Sequence, residues 1–513
     1  VIPGRIGTAG LCGIGLSTGC FLVTALLGPS AMQPGLPGSG PPFSLTADPS
    51  PYLVIGLVVG GVLLAGLGLG LCLHAVGRGW RPAPRPLLLA GLLATAAFAF
   101  MPPVGSADHL NYAAYGRMAV TGHDPYTTTA VDLPADPVAR TVQEWRSTPS
   151  LYGPIATGQQ AIASWIGGES VRLTVFALSL SGALAFALVG LILYRYADPV
   201  RSVLFWTLNP LMLFHLVSGA HNDTLSIAVA IGALAVFAGR RGGSGDLGPV
   251  GRVDQVRTAP TASKILATGA LIGAGVALKL PAALVGGGPA WLLLRGRPWR
   301  QARSLRSVRP LLPAAALFGA AATVTAVAYS LVGWQAFAQV RRASSSVSLA
   351  TPWHLVDVAL GKGTNRPVVQ AGALLLLVGL TALLARALPV EPGHESRRIA
   401  AALVLAWLFA APYALPWYDG LGWAVLALLP WSRFDRLLVA RTVAISLAYL
   451  PARAPKLIDL PDGLSWLFTV VRPVIVPWVL TVVLVLLVVW ARQAPRPVPA
   501  PGPKPPVRAG SRG

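Results

Sequence analysis

Charge is what this chain has least of. Of its 513 residues, 11% are charged and 54% are hydrophobic, a balance that excludes an ordinary soluble domain of this length. Acidic residues are the scarcer kind, 18 against 40 Lys and Arg, which leaves a formal net charge of +22. Such an excess suits nucleic acid only when the basic residues form one contiguous surface. Here they recur between apolar runs, so no nucleic-acid partner is expected. Cysteine is almost absent: Cys12, Cys20 and Cys72 all lie inside apolar stretches without metal-ligand spacing. That excludes a disulfide framework or a zinc site and makes them helix-packing residues.

What is abundant is apolar sequence rich in Gly (56) and Pro (46), the profile of an all-α polytopic membrane protein. A bilayer core needs about 20 apolar residues per helix, fewer where the segment is buried in protein. By that measure spans fall at 8–28, 52–77, 86–104, 171–194, 202–218, 224–239, 264–278, 281–294, 310–332, 367–388, 399–416, 420–432, 437–452 and 473–491. Residues 8–28 are of membrane length and lack a small-residue cleavage site, so they read as a first span and not as a signal peptide. Lys and Arg near span ends prefer the cytoplasmic side. With the N-terminus inside, 28 basic and 6 acidic residues fall inward, and 12 of each fall outward. The whole net charge then lies on one face, which supports this register and places both termini in the cytoplasm. The expected organisation is one transmembrane domain over 1–492, with its main extracytoplasmic loop at 105–170 and a flexible cytoplasmic loop at 240–262. A disordered, basic, Pro-rich cytoplasmic tail follows at 493–513.

The outer face carries the informative chemistry. In "SADHLNYAAYGRMAVTGHDPY" (106–126) the residues from 108 to 121 favour a helix, with Ser106 or Asp108 as its cap and Gly122 at its end. Asp108, Asn111, Tyr112 and Tyr115 then share one face. Two readings stand: a capping Asp with interfacial tyrosines, or a carboxylate held at the membrane surface as a general base. "GHDPY" (122–126) and "LYGPI" (151–155) are rigid turns. The acids Asp132, Asp136 and Glu144 between them read as solvated loop charges. Residues 156–168 suit a short amphipathic helix lying on the membrane. In "SGAHNDTLS" (218–226), Asn222 or Asp223 opens a helix, while His221, Asn222 and Asp223 together also suit a polar or phosphorylated ligand. Lys279, isolated among apolar residues, either snorkels to the interface or meets a phosphate. Farther along, Arg341, Arg342, Trp353 and His354 lie on the outer face, as do Trp417 and Tyr418 in "PYALPWYDG" (412–420). Aromatics there are interfacial anchors or platforms for a sugar or a lipid chain.

Taken in order, "ADHLNYAAYGRMAVTGHDPY", "YGP" at 152–154, "NPLMLFHLVSGAHND" at 209–223, "ALKLPAAL" at 277–284 and "LPWY" at 415–418 resemble a known family. It comprises the GT-C-fold, polyprenyl-phosphomannose-dependent mannosyltransferases of actinobacteria, nearest the α-1,6-mannosyltransferases of lipomannan and lipoarabinomannan assembly. The resemblance implies a GT-C fold of about 14 transmembrane helices in the plasma membrane, with an extracytoplasmic active site. It implies a catalytic carboxylate in the first large outer loop, which maps onto Asp108. It also implies a polyprenyl-phosphate-mannose donor drawn from the membrane lipid and a mannoside or lipoglycan acceptor. No Gly-rich phosphate loop is present, in keeping with a donor that is not a nucleotide sugar. Many members of the wider fold family begin that loop with two neighbouring acids, whereas here the neighbour of Asp108 is His109. No cofactor is expected, and the reading leans against a divalent metal. Donor-phosphate binding falls to Lys279, His221, Arg341 and Arg342. Substrate binding falls to Tyr112, Tyr115, Arg117, Asp124, Tyr126, Tyr152, Asn222, Asp223, Trp353, His354, Trp417 and Tyr418. The alternatives are a polyprenyl-phosphoarabinose-dependent arabinosyltransferase, a multi-pass secondary transporter and a lipid-binding scaffold. Transporters usually carry internal repeats with sites near the midplane, and this sequence shows no repeat.

Overall fold

The computed structural model describes residues 3–238, 260–295, 311–333, 335–337 and 346–494. Each of the fourteen apolar segments contains a helix, and no β-strand occurs among the described residues. Among the described residues, seven helices are long and apolar enough to cross a membrane: Pro3–Leu27, Pro51–Gly77, Val171–Tyr196, Pro199–Ser218, Leu312–Ser330, Arg366–Ala387 and Asp462–Arg492. Pro84–Ala99, Asp223–Ala238, Ala262–Leu278 and Leu280–Leu294 are apolar but shorter. The expected flexible loop and tail fall almost wholly outside the described residues.

Small residues let the first two helices close on each other. A Cβ at Gly68 would sit 2.8 Å from the Gly10 carbonyl oxygen, so only glycine permits this approach. At the same seam Ser17 Oγ donates to the Gly61 carbonyl at 2.7 Å. Cys72 is buried there with its Sγ 3.8 Å from the Gly7 carbonyl, a packing role as its apolar setting implied, while Cys12 is exposed.

The helix Pro199–Ser218 is the innermost, with 94% of its apolar window buried. Pro210 interrupts it, since proline lacks a donor and clashes with the preceding turn. Asn209 repairs the break with its own amide: its oxygen accepts from the backbone N–H groups of Leu211 and Met212, and its nitrogen donates to the Phe205 carbonyl. The break is thus satisfied locally, within the helix itself.

Two buried ion pairs join distant helices. Arg201 grips Asp435 through both guanidinium nitrogens at 2.7 and 2.8 Å, donates to the Leu426 carbonyl and lies over the Phe205 ring. Arg441 pairs with Asp419, whose other oxygen accepts from Thr442. Asp419 follows the last aromatics of the stretch read as outward-facing, and Arg441 lies within the apolar segment 437–452. They bond one another in the interior. Removing one partner of a buried pair leaves an uncompensated charge. Asp435→Ala is therefore expected to cost about 3–5 kcal/mol, read as a lower thermal midpoint in detergent. The double change Arg201→Met with Asp435→Leu should cost much less.

The connections around the Asp108 segment are stitched together by backbone bonds. Gly105 N–H donates to the Met32 carbonyl at 2.8 Å, Val104 N–H to Ser218 at 2.9 Å, and Gly153 N–H to Leu278 at 3.3 Å. These bonds bring residues 104–109, 218–223 and 278–279 to one end of the helices. The helix Pro154–Gly167 buries Thr157 and Gln160 and exposes Ile162, Trp165 and Ile166. That outward apolar stripe is what a helix resting on a membrane requires.

Candidate active site

The segment that opens the polar face forms the helix Asp108–Val120. Ser106 Oγ accepts the Asp108 backbone N–H at 3.0 Å, so the turn is closed by serine and the Asp108 carboxylate is not spent as a cap. The helix ends at Thr121, and Gly122 follows in the left-handed region (φ +81°) that glycine adopts without cost. Gly116 presses the helix against Pro154–Gly167, where a Cβ would lie 2.1 Å from the Gln160 carbonyl oxygen. The expected common face is real, and it points inward. Tyr112 is 1% exposed, which rules out an interfacial belt.

Three partners converge on that face. Tyr112 OH lies 3.2 Å from His221 Nδ1 and accepts a bond from Tyr152 OH at 3.4 Å. His221 Nδ1 is 3.8 Å from Asp108 Oδ2. The His221 ring stacks on Trp417, centroids 3.6 Å apart and planes 18° apart. Ala220, just before it, is held in the left-handed region (φ +51°), a strained state for a residue with a Cβ that turns the imidazole toward Asp108. Burial foremost, with Lys279 nearby, holds the His221 ring neutral, so toward an anion it acts as a hydrogen-bond donor and not as a cation.

Lys279 stands between the helices Ala262–Leu278 and Leu280–Leu294. Its Nζ reaches both carboxylate oxygens of Asp223 at 2.7 Å and lies over the Tyr418 ring, 4.5 Å from its centroid. It does not snorkel; it is held. Asn222, beside Asp223, is 7% exposed, and neither of its amide atoms has a partner. A buried amide left unbonded costs about 1–3 kcal/mol, so Asn222 keeps hydrogen-bonding capacity that its neighbours do not use.

Asp108 keeps 18% of its side-chain surface accessible at the base of this cluster. Burial pushes its carboxyl up to about 7; Lys279 and Ser106 oppose that, while Glu144 and Asp223 add to it. Other expected site residues sit apart. Arg117 pairs with Asp136 at 2.8 Å and reaches Glu169 at 3.8 Å, nine residues along the helix from Asp108. Asp124 closes its own turn through Tyr126 N–H and Thr127 Oγ1, and Tyr126 OH bonds Thr157. Tyr115 OH donates to the Thr148 carbonyl at 2.9 Å. Trp353 Nε1 donates to the Ala410 carbonyl at 2.8 Å, and His354 is buried one position on. Arg341 and Arg342 lie outside the described residues.

Several neighbours of Asp108 escaped the sequence reading. Glu144 is no solvated loop charge: it is half-buried and accepts the Ala454 backbone N–H at 2.6 Å. Asp136 likewise caps the backbone N–H groups of Val138 and Ala139, and only Asp132 is exposed, bonding Thr129. Arg453 bonds Gln143 Oε1 and the Ser30 carbonyl. Tyr413 has its hydroxyl pushed up to about 12 by burial and by Asp108. His109 is buried, its ring pushed down to about 3 by burial and Arg453. No local signal marks these residues, because their partners are as much as 423 positions away.

The family described as "Alpha-(1->6)-mannopyranosyltransferase, N-terminal domain" matches residues 10–295, more than half of the chain and the part that holds Asp108, His221, Asp223 and Lys279. The chain belongs to this family. Among curated relatives it is similar to alpha-(1->6)-mannopyranosyltransferase A of Corynebacterium glutamicum, 29% identical over 141 residues, 26% of this chain and 29% of that protein. Alpha-(1->6)-mannopyranosyltransferase B of the same organism is 26% identical over 378 residues, 68% of this chain and 60% of that one. Alpha-(1->6)-mannopyranosyltransferase A of Mycobacterium tuberculosis is 28% identical over 397 residues, covering 73% and 70%. The matches to the two Corynebacterium proteins thus span 29% and 60% of their lengths. No solved structure gives a significant match. The family's match stops short of Trp417 and Tyr418, which complete the cluster from the second half of the chain.

Proposed function

We propose that the chain is a membrane mannosyltransferase of the GT-C type, with about fourteen spans, that works at the extracytoplasmic face of the plasma membrane. It takes mannose from a polyprenyl-phosphate-mannose donor and passes it to a mannan or lipoglycan acceptor, with inversion, forming an α-1,6 linkage. One observation carries the reading: an accessible carboxylate, Asp108, stands 3.8 Å from His221, with a lysine–aspartate pair and an unpartnered buried asparagine beside it. The relatives' activity favours mannose over arabinose and an enzyme over a transporter.

In the reaction an oxygen of the acceptor hydroxyl bonds to C1 of mannose while the bond from C1 to the phosphate oxygen breaks. The hydroxyl proton passes to Asp108, and polyprenyl phosphate leaves with the bonding pair. Phosphate is a stable anion, so no strong acid is needed; its growing charge calls for donors already in place. Lys279 has one N–H beyond the two directed at Asp223, and His221 offers another while neutral. Asn222 gains partners from sugar hydroxyls, and the rings of Trp417 and Tyr418 present apolar faces to the sugar or the lipid.

This assignment predicts a pH profile. A general base acts only when ionised, so kcat/KM is expected to rise about tenfold per pH unit below the Asp108 pKa and to level off above about 7. Transfer rates measured from about pH 5 to 9 decide it: a plateau reached already near pH 5 would mean that the essential base is not this carboxyl.

A further inference from the structure

Near the Asp108 cluster the structure holds a cavity of mixed apolar and polar lining that the proposed reaction does not use. Its volume is about 400 Å³, within the range of about 300–1,000 Å³ usual for small-ligand sites. It opens in the segment joining the first two long helices and is lined by Gln33, Ser44, Thr46 and Arg172. Gln33 is 1% exposed, and its amide oxygen, buried in the wall, has no hydrogen-bond partner. An acceptor left in that state asks for a donor from a ligand.

The chemistry of the wall narrows the ligand. Arg172 brings the only charge to the lining, but its guanidinium already donates to the carbonyls of Leu36, Pro37, Gly40 and Pro42. Four of its five N–H groups are committed, which disfavours an anion. The remaining groups are an amide oxygen and two hydroxyls, set among the C–H faces of Pro29, Pro37 and Pro102. Hydroxyl-bearing rings with one apolar face match such a surface, and neutral sugars have both features. The cavity is also tied to the Asp108 helix. Leu36, in its wall, packs in one apolar cluster with Leu110 and Tyr112 of the Asp108 helix, and Ser30, three residues before Gln33, accepts from Arg453.

We infer that this cavity is a glycan subsite that holds neutral sugar residues of the acceptor at a distance from the reacting end. The inference rests on the function proposed above; it adds that the chain reads acceptor length as well as the terminal residue. The subsite would let longer acceptors bind more tightly at unchanged turnover, because its contacts are equal in the ground and transition states.

The test compares the full-length protein with Gln33→Leu and Thr46→Trp. The first removes the buried acceptor; the second, at an exposed position, narrows the mouth without touching the core. Transfer is measured to α-1,6-linked mannosides of two lengths. The expected result is a KM about tenfold higher for the longer acceptor, with kcat and the KM of the shorter one unchanged in both variants. Equal effects on the two acceptors, or no effect on either, would overturn the subsite. Saturation-transfer NMR on the inactive Asp108→Asn protein separates this inference from the function itself. Contacts to inner sugar residues should vanish with Thr46→Trp while those to the terminal residue persist, whether or not the wild type turns over. Protection of residue 46 by anionic lipid vesicles but not by the mannoside would make the cavity a headgroup site instead, and the inference would fail.

Discussion

Asp108→Asn is expected to lower mannosyl transfer by about 10²–10⁴-fold and to leave the fold in place. The asparagine is isosteric, the helix start is closed by Ser106 and not by the Asp108 side chain, and the carboxylate's charge is already penalised by burial. Nothing in the packing therefore depends on ionisation at this position. What is lost is the proton acceptor for the attacking hydroxyl. The measurement is a single-turnover rate with purified polyprenyl-phosphate-mannose and a mannoside, alongside a thermal melt. Equal rates for the two proteins would remove Asp108 from the chemistry and turn attention to Glu144, which with Asp223 is one of two carboxylates whose charge reaches this site.

Lys279→Met should have two separable effects. It leaves Asp223 buried without its cation, which is expected to destabilise the protein by about 3 kcal/mol. It also removes a donor from the position assigned to the leaving phosphate, for which a loss of about 10²–10³-fold in kcat is expected. Adding Asp223→Asn removes the stranded charge, so the double variant should regain most of its thermal stability and little of its activity. Recovery of both together would show that Lys279 serves only as a counter-ion to Asp223. Donor binding by the single variant, measured with catalysis blocked at Asp108, would separate affinity from turnover.

The two predictions rest on groups that differ in how legible they were. Asp108 and Lys279 stood out because a charge beside or within membrane-length apolar sequence needs a reason, and the tripeptide His221–Asn222–Asp223 stood out at a helix start. What each of them does depends on partners far away in the chain. Asp223 was read as a cap or a ligand group, and it holds Lys279 56 positions on. Trp417 and Tyr418 were weighed as interfacial anchors, yet Trp417 is buried against His221 and Tyr418 lies under Lys279. An aromatic residue at a span end has the same local sequence whether it faces headgroups or a protein cleft, so hydropathy alone does not distinguish the two. Arg117, Asp124 and Tyr126 share the signature of the site stretch, but Arg117 lies at the far end of the helix paired with Asp136, and the turn after the helix carries Asp124 and Tyr126 into the loop's own scaffold.

The sequence alone determined the helical segments and the stretch where polar chemistry gathers. These follow from local composition, which the lipid environment reads residue by residue. The tertiary structure decided which charges meet. Helix packing brings Asp108, His221, Lys279 and Trp417 together and buries Glu144 against Ala454, pairings that no local pattern encodes because each depends on how distant helices dock.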